Sequence, residues 1–198
     1  MKRPAVFLTT LMSVVGVLTA LPAGASTPAP SVKPWLLAVS DMPVGWTAST
    51  PSAAPAGCFA LRQAILGQHP GSHALVSFEA SENIPYIDEL VASWPTSAAA
   101  RHAWDAVTAL ANGCHQYTST AGGTAAKLTV APLKLGHYGD ASSSYQVEGT
   151  ESGITFAADY LVALKGRAVV SLDYGDIGAP ALKNVQSTAK LAVAKIKG

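Results

Sequence analysis

From Tyr145 to Tyr174 almost every second residue is apolar, a period of two that suits extended strands. Tyr145 to Thr150 alternates first, and Glu151-Ser152-Gly153 follows as a turn. From Ile154 to Leu164 one side carries Ile154, Phe156, Ala158, Tyr160, Val162 and Leu164. Lys165-Gly166 reads as a tight turn, after which Ala168, Val170, Leu172 and Tyr174 continue the same apolar face. Strands joined by turns this short pair antiparallel, so the stretch predicts a three-stranded meander.

The remaining elements are read around that meander. His73 to Ala80 places Ala74, Val76, Phe78 and Ala80 on one side, a strand, and Lys127 to Leu133 reads as another. Thr118 to Ala125 reads as a loop. Tyr86 to Trp94 fits a helical stripe (Ile87, Leu90, Val91, Trp94) and a strand face (Tyr86, Leu90, Ala92, Trp94) equally well. Pro95-Thr96-Ser97 supplies hydroxyls that can cap a helix start. Ala100, Ala103, Trp104, Val107, Leu110 and Ala111 form the buried stripe behind it, with Arg101, His102, Asp105 and Thr108 toward water. Asn112-Gly113 stops that helix, and Gly113 suits a left-handed closing residue. Trp35 to Val39 reads as a short helical turn. After Gly178-Ala179-Pro180 a last helix carries Leu182, Val185, Ala189, Ala192, Val193 and Ile196 on its stripe. Helices and turn-linked strands in this order predict an α+β fold, one antiparallel sheet with helices packed on it, as a single domain. Trp46, Trp94 and Trp104 are expected in its core.

The first residues point to export. Met1-Lys2-Arg3 is basic, Ala5 to Leu21 is uncharged and mostly apolar, and Pro22-Ala23-Gly24-Ala25-Ser26 supplies small residues for cleavage. That succession is a secretory signal peptide over residues 1–25, cut after Ala25. Residues 26–34, with Pro28, Pro30 and Pro34, read as a flexible leader, and residues 35–198 as the domain. Thr, Ser and Gly interrupt the apolar run and no basic stop-transfer cluster follows, against a membrane anchor. The first cysteine is Cys58, so no lipid-accepting cysteine stands at the cleavage point, and no stable membrane anchor is expected in the mature form. The expected location is secreted or extracytoplasmic.

Two cysteines in an exported chain are most simply one disulfide, Cys58–Cys114, tying the end of the middle helix to the loop that holds Cys58. Two free thiols or one catalytic thiol are the rival readings, and neither cysteine lies in a C-x-x-C pattern. The whole sequence has 13 Lys and Arg against 12 Asp and Glu, and losing Lys2 and Arg3 leaves the mature chain close to neutral. Without a basic cluster, nucleic acid and anionic membrane surfaces are not expected partners.

No residue pattern rises to a catalytic constellation. Ser187-Thr188-Ala189-Lys190 matches S-x-x-K but lacks the companion S-D-N and K-T-G elements. Of the histidines at 69, 73, 102, 115 and 137, only His69 and His73 stand four apart, and Pro70-Gly71 breaks any helix that could align them. No metal and no cofactor are expected. The meander's other face is expected to carry Gln146, Glu148, Asp159, Arg167, Ser171 and Asp173. Such a patch is either a solvated sheet surface or a cleft lining in which Arg167 fixes a polar ligand. Asp159 and Asp173 could form the acidic pair of a secreted hydrolase if they share a pocket at a defined separation.

Three local phrases carry a resemblance: Leu37 to Trp46 with its L-x-x-x-D-M-P-x-G-W pattern, Trp94-Pro95-Thr96-Ser97-Ala98-Ala99-Ala100, and Asn112-Gly113-Cys114. With the hairpin tail and its Lys-rich helix, the mature chain resembles actinobacterial secreted and lipoprotein domains typified by the extracellular sensor domain of PknH-type mycobacterial serine/threonine kinases. The resemblance implies a twisted antiparallel sheet flanked by helices, a strand at Tyr86 to Trp94, and a cleft that holds a ligand. It departs in two respects: the kinase sensor domain has two disulfides where this chain can make one, and no kinase domain accompanies it here. The function expected is a non-catalytic, sensor-like binding module of the cell envelope, its partner an unidentified small molecule or envelope component. A purely structural wall-associated protein is the third reading. Export is tested by intact mass: secreted protein should begin at Ser26, and a chain that keeps Met1 in the cytosol contradicts it.

Overall fold

A computed structural model describes residues 28–51, 57–81, 84–120, 125–151 and 153–197; the expected signal peptide, 1–25, lies outside them. Eight strands form one sheet: β1 (Thr47–Ala48), β2 (Ser72–Ser81), β3 (Ile84–Ser93), β4 (Gln116–Ser119), β5 (Ala126–Pro132), β6 (Ala141–Glu151), β7 (Ile154–Lys165) and β8 (Ala168–Ile177). Their order across the sheet is β1-β2-β3-β8-β7-β6-β5-β4, each neighbouring pair antiparallel. Helices α1 (Leu61–Gly67), α2 (Ser97–Asn112) and α3 (Leu182–Lys195) pack on it with short 3-10 turns at Lys33–Trp35, Val39–Asp41 and Gly57–Phe59. The α+β reading holds. Tyr86 to Trp94 resolves as strand, because β3 sits between β2 and β8 with both ladders filled.

The sheet is covered on both sides. On one, Phe59, Ile65, Val107, Tyr160, Val162 and Val169 join the sheet to α1 and α2. On the other, Trp35, Phe78, Val91, Leu161, Leu172 and Val185 join it to α3 and the N-terminal 3-10 turns. The middles of β7 and β8 are therefore buried on both sides, where alternation predicts one solvated face.

The register also corrects the expected faces. The tight turn is Gly166–Arg167, with Gly166 at φ +58° and Lys165 paired to Ala168, one residue later than the sequence suggested. A slip of one residue sends every following side chain to the opposite face. Val169, Ser171 and Asp173 thus join Val162 and Tyr160 on the α1–α2 face, and Val170, Leu172 and Tyr174 lie on the α3 face.

Helix α2 begins as expected: Thr96 Oγ1 accepts the Ala99 N–H at 3.1 Å. Its stripe is rotated slightly. Thr108 is buried with its hydroxyl donated to the Trp104 carbonyl, and Leu110 is exposed. Gly113 keeps a right-handed φ of −81°, so the helix closes without a left-handed residue. Helix α1 and strand β4 were missed, the first for want of a cap or a long stripe in seven residues. Packing begins inside the segment read as a leader: Val32 is buried and Ser93 Oγ donates to the Pro30 carbonyl at 2.7 Å. Among the described residues no helix is long and apolar enough to cross a membrane.

Cys58 and Cys114 are joined, with Cα atoms 5.5 Å apart across 56 positions of sequence. The double variant Cys58→Ala/Cys114→Ala should lose about 4 kcal/mol of stability in guanidinium unfolding, the entropy of closing a loop of that length.

Glu89 fastens the N-terminal segment from the middle of β3. It is fully buried on the α3 face, and its Oε2 accepts the Leu37 N–H at 2.7 Å. Burial pushes its carboxyl up to about 7, opposed by the Leu37 bond and by Lys195, which pairs with Asp41. The folded protein therefore holds this proton more tightly than the unfolded chain. Its contribution is complete below pH 4.5 and is lost as pH rises through about 7, a span of about 3 kcal/mol. Glu89→Gln keeps an acceptor for Leu37, and its denaturation midpoint should be flatter than wild type across that window.

Candidate functional site

A cavity opens on the α1–α2 face of the sheet. Its volume is about 270 Å³, and its wall is formed by Tyr86, Tyr117, Leu128, Val147, Phe156 and Tyr160, with Ile84, Ala158 and Ser119. Two strand glycines let the wall side chains settle against the sheet. A Cβ on Gly175 would lie 2.1 Å from the Tyr86 ring, and one on Gly149 would lie 2.3 Å from Leu128 and 2.9 Å from Phe156. The Tyr86 ring lies flat over Gly175 because no side chain stands there.

Behind the tyrosines lies a buried polar ladder. Ser77, Asp88, Asp173 and Tyr160 occupy facing positions on β2, β3, β8 and β7, so their side chains stand in a row on one face. Ser77 Oγ donates to Asp88 Oδ1, and Arg62 of α1 donates to Asp88 Oδ2 at 2.8 Å. The Tyr160 and Tyr86 hydroxyls face the Asp173 carboxyl, which is only 6% exposed, and favour its charged form. Burial pushes that carboxyl up to about 8, with the charge of Asp88 adding and the tyrosines and Arg62 opposing. The Tyr86 and Tyr160 hydroxyls are pushed well above 10, first by burial and then by Asp173. Asp173 Oδ1 has no hydrogen-bond partner among the described residues. A void of about 20 Å³ bounded by Arg62, Asp88, Ser171 and Asp173 is large enough for one water.

The polar patch expected on the meander is not one patch. Gln146, Glu148 and Asp159 belong to the α3 face, where Gln146 Nε2 donates to Asp159 Oδ1 at 3.0 Å and burial raises the Asp159 carboxyl. Ser171 and Asp173 belong to the α1–α2 face. Arg167 lies at the far end of the β7–β8 hairpin, its Nη1 donating to the Pro95 carbonyl at 3.4 Å. Asp159 faces Tyr174 and Asp173 faces Tyr160 across the same two strands, so the two carboxylates point to opposite sides of the sheet. They cannot flank one bond, and the acidic-pair hydrolase does not form. Ser187, of the S-x-x-K match, donates its hydroxyl to the Asn184 carbonyl within α3. Among the described residues no three His, Cys, Asp or Glu side chains converge to hold a metal.

Sequence reasoning missed Tyr86, Tyr117, Phe156, Asp88 and Arg62. The signals present were Gly149 and Gly175, glycines inside strands, which mark a close approach.

No family model matches the chain, and no curated protein matches it. Among solved structures, the crystal structure of the extracellular domain of PknH from Mycobacterium tuberculosis is similar in fold. The TM-score is 0.56 with 13% identity, over 81% of this chain and 92% of that chain. The expected resemblance to that sensor domain is thus supported at the level of fold.

Two variants probe this region. Gly175→Ala should displace the Tyr86 ring and cost about 1–3 kcal/mol, seen as a lowered melting temperature. Asp173→Asn removes a proton held to about 8 in the fold and 3.8 in the open chain. Wild-type stability should decline as pH rises between those values, and the variant should decline less.

Proposed function

We propose that this chain is a non-catalytic, sensor-like binding module that works outside the cytoplasm, in or near the cell envelope, and takes its ligand in the tyrosine-walled cavity. The observation that carries the reading is the cavity itself: open on one side, largely apolar, and walled by Tyr86, Tyr117, Tyr160 and Phe156, with the Tyr86 and Phe156 rings seated over strand glycines. At about 270 Å³ it lies near the lower edge of the roughly 300–1,000 Å³ typical of small-molecule sites. Apolar walls with a few positioned polar groups are the usual composition of such sites. The likeness in fold to an extracellular domain, the disulfide and the basic-apolar-small start of the sequence all favour work in an oxidising compartment. The Asp173 ladder backs the cavity, with the Tyr160 ring packed on Phe59 at 5.0 Å between centroids and Tyr86 seated over Gly175.

Native mass spectrometry tests the reading on protein purified without detergent from the host that exports it. A bound small molecule is expected on wild type and absent from Ala158→Phe, which places a ring in the cavity. A wild-type protein with nothing bound, or an adduct that persists in Ala158→Phe, contradicts it. Arg167→Ala should leave binding intact, because Arg167 lies at the other end of the hairpin.

A further inference from the structure

The walls of the cavity say what kind of molecule suits it, provided that the cavity is a binding site as proposed above. Asp176 is the one charged residue among those that line it. It pairs with Ala157 on the α3 face and accepts the Ile177 N–H at 2.8 Å. The two innermost tyrosine hydroxyls turn toward Asp173, so Tyr86 and Tyr160 present chiefly ring surface to an occupant. A carboxylate, phosphate or ammonium placed inside would lose its water with nothing to replace it, a cost of several kcal/mol.

The approach to the cavity is apolar too. Ile84 opens β3, Ile154 opens β7 and Ile177 closes β8, at one end of three adjacent strands. By alternation from Tyr86, Phe156 and Gly175, all three project from the face that bears the cavity. They are 36%, 57% and 60% exposed, large for isoleucine in a strand. Solvent-facing apolar groups gathered beside an apolar cavity mark a contact surface rather than chance exposure. Ile84 lines the cavity and the other two carry its apolar edge across the strand ends, which fits a long, thin occupant better than a compact ring.

We propose that the ligand is a single-chain amphiphile whose hydrocarbon tail lies past Ile84, Ile154 and Ile177 and ends against Tyr160, while its polar head stays outside in water. Each buried methylene then adds to affinity, and the head contributes little. Tail length sets specificity.

Hexyl, octyl and decyl glucoside, each kept below its micelle concentration, are the probes for isothermal titration calorimetry on the mature full-length chain. Affinity should rise about fourfold per methylene until the cavity is full. Ile154→Asp and Ile177→Asp alter only exposed positions, so both should melt as wild type, and each should weaken octyl glucoside at least tenfold. Affinity independent of tail length, or unchanged in both variants, overturns the proposal. Absence of binding by all three glucosides also overturns it. If wild type nevertheless carries a molecule that Ala158→Phe excludes, the cavity keeps its role and only the tail assignment falls; if it carries none, both fall.

Discussion

The two-residue turn at Gly166–Arg167 settles what each face of the sheet holds. By pairing Lys165 with Ala168 it sets the phase of β8 against β7, and β3 then inherits that phase through its ladder to β8. Asp173 is thereby aligned with Tyr160 on one side and Asp88 on the other, while Asp159 is sent to the opposite face. Because both faces are covered, neither phase leaves a strand surface free in water, and a slip would bury the wrong set twice over. Gly166 at φ +58° suits the turn where a side chain would be strained.

Polar groups set into such a sheet must be satisfied by one another. Arg62, Ser77 and Asp88 do so as a bonded trio, and Tyr86 and Tyr160 converge on Asp173. Removing one partner from a network of this kind leaves a buried group stranded, so its members hold each other's positions. Two of the ring systems held this way form the cavity wall. The ladder is thus a positioning device for aromatic surface, and a carboxyl pushed to about 8 suits that task, because a neutral acid costs less to bury than an anion.

Much of this fold was legible from pattern alone. Tyr145 to Tyr174 announced its strands, Thr96 announced the start of α2, and two cysteines in a chain with an export-like start announced their bridge. Periodicity reports which residues are apolar, but a strand buried on both faces presents no polar side against which to fix its phase. That is why the meander's faces were assigned one residue out, and why Asp159 and Asp173 were taken as companions. The cavity was illegible for a different reason. It is built from residues scattered over β3, β4, β5, β6, β7 and β8 that no single stretch of sequence brings together. The absence of side chains at Gly149 and Gly175 is what lets Tyr86, Leu128 and Phe156 take their places in its wall.

The tyrosines supply a direct test, because the chain's six are divided between the faces. In a protein labelled with carbon-13 at tyrosine rings, Tyr86, Tyr117 and Tyr160 border the cavity, while Tyr174 and Tyr138 belong to the core on the α3 face. Titration with octyl glucoside should shift the first three resonances together and leave Tyr138 and Tyr174 in place. Shifts confined to Tyr138 and Tyr174, or no shift in Tyr86 and Tyr160 at saturation, would contradict a ligand site on this face of the sheet.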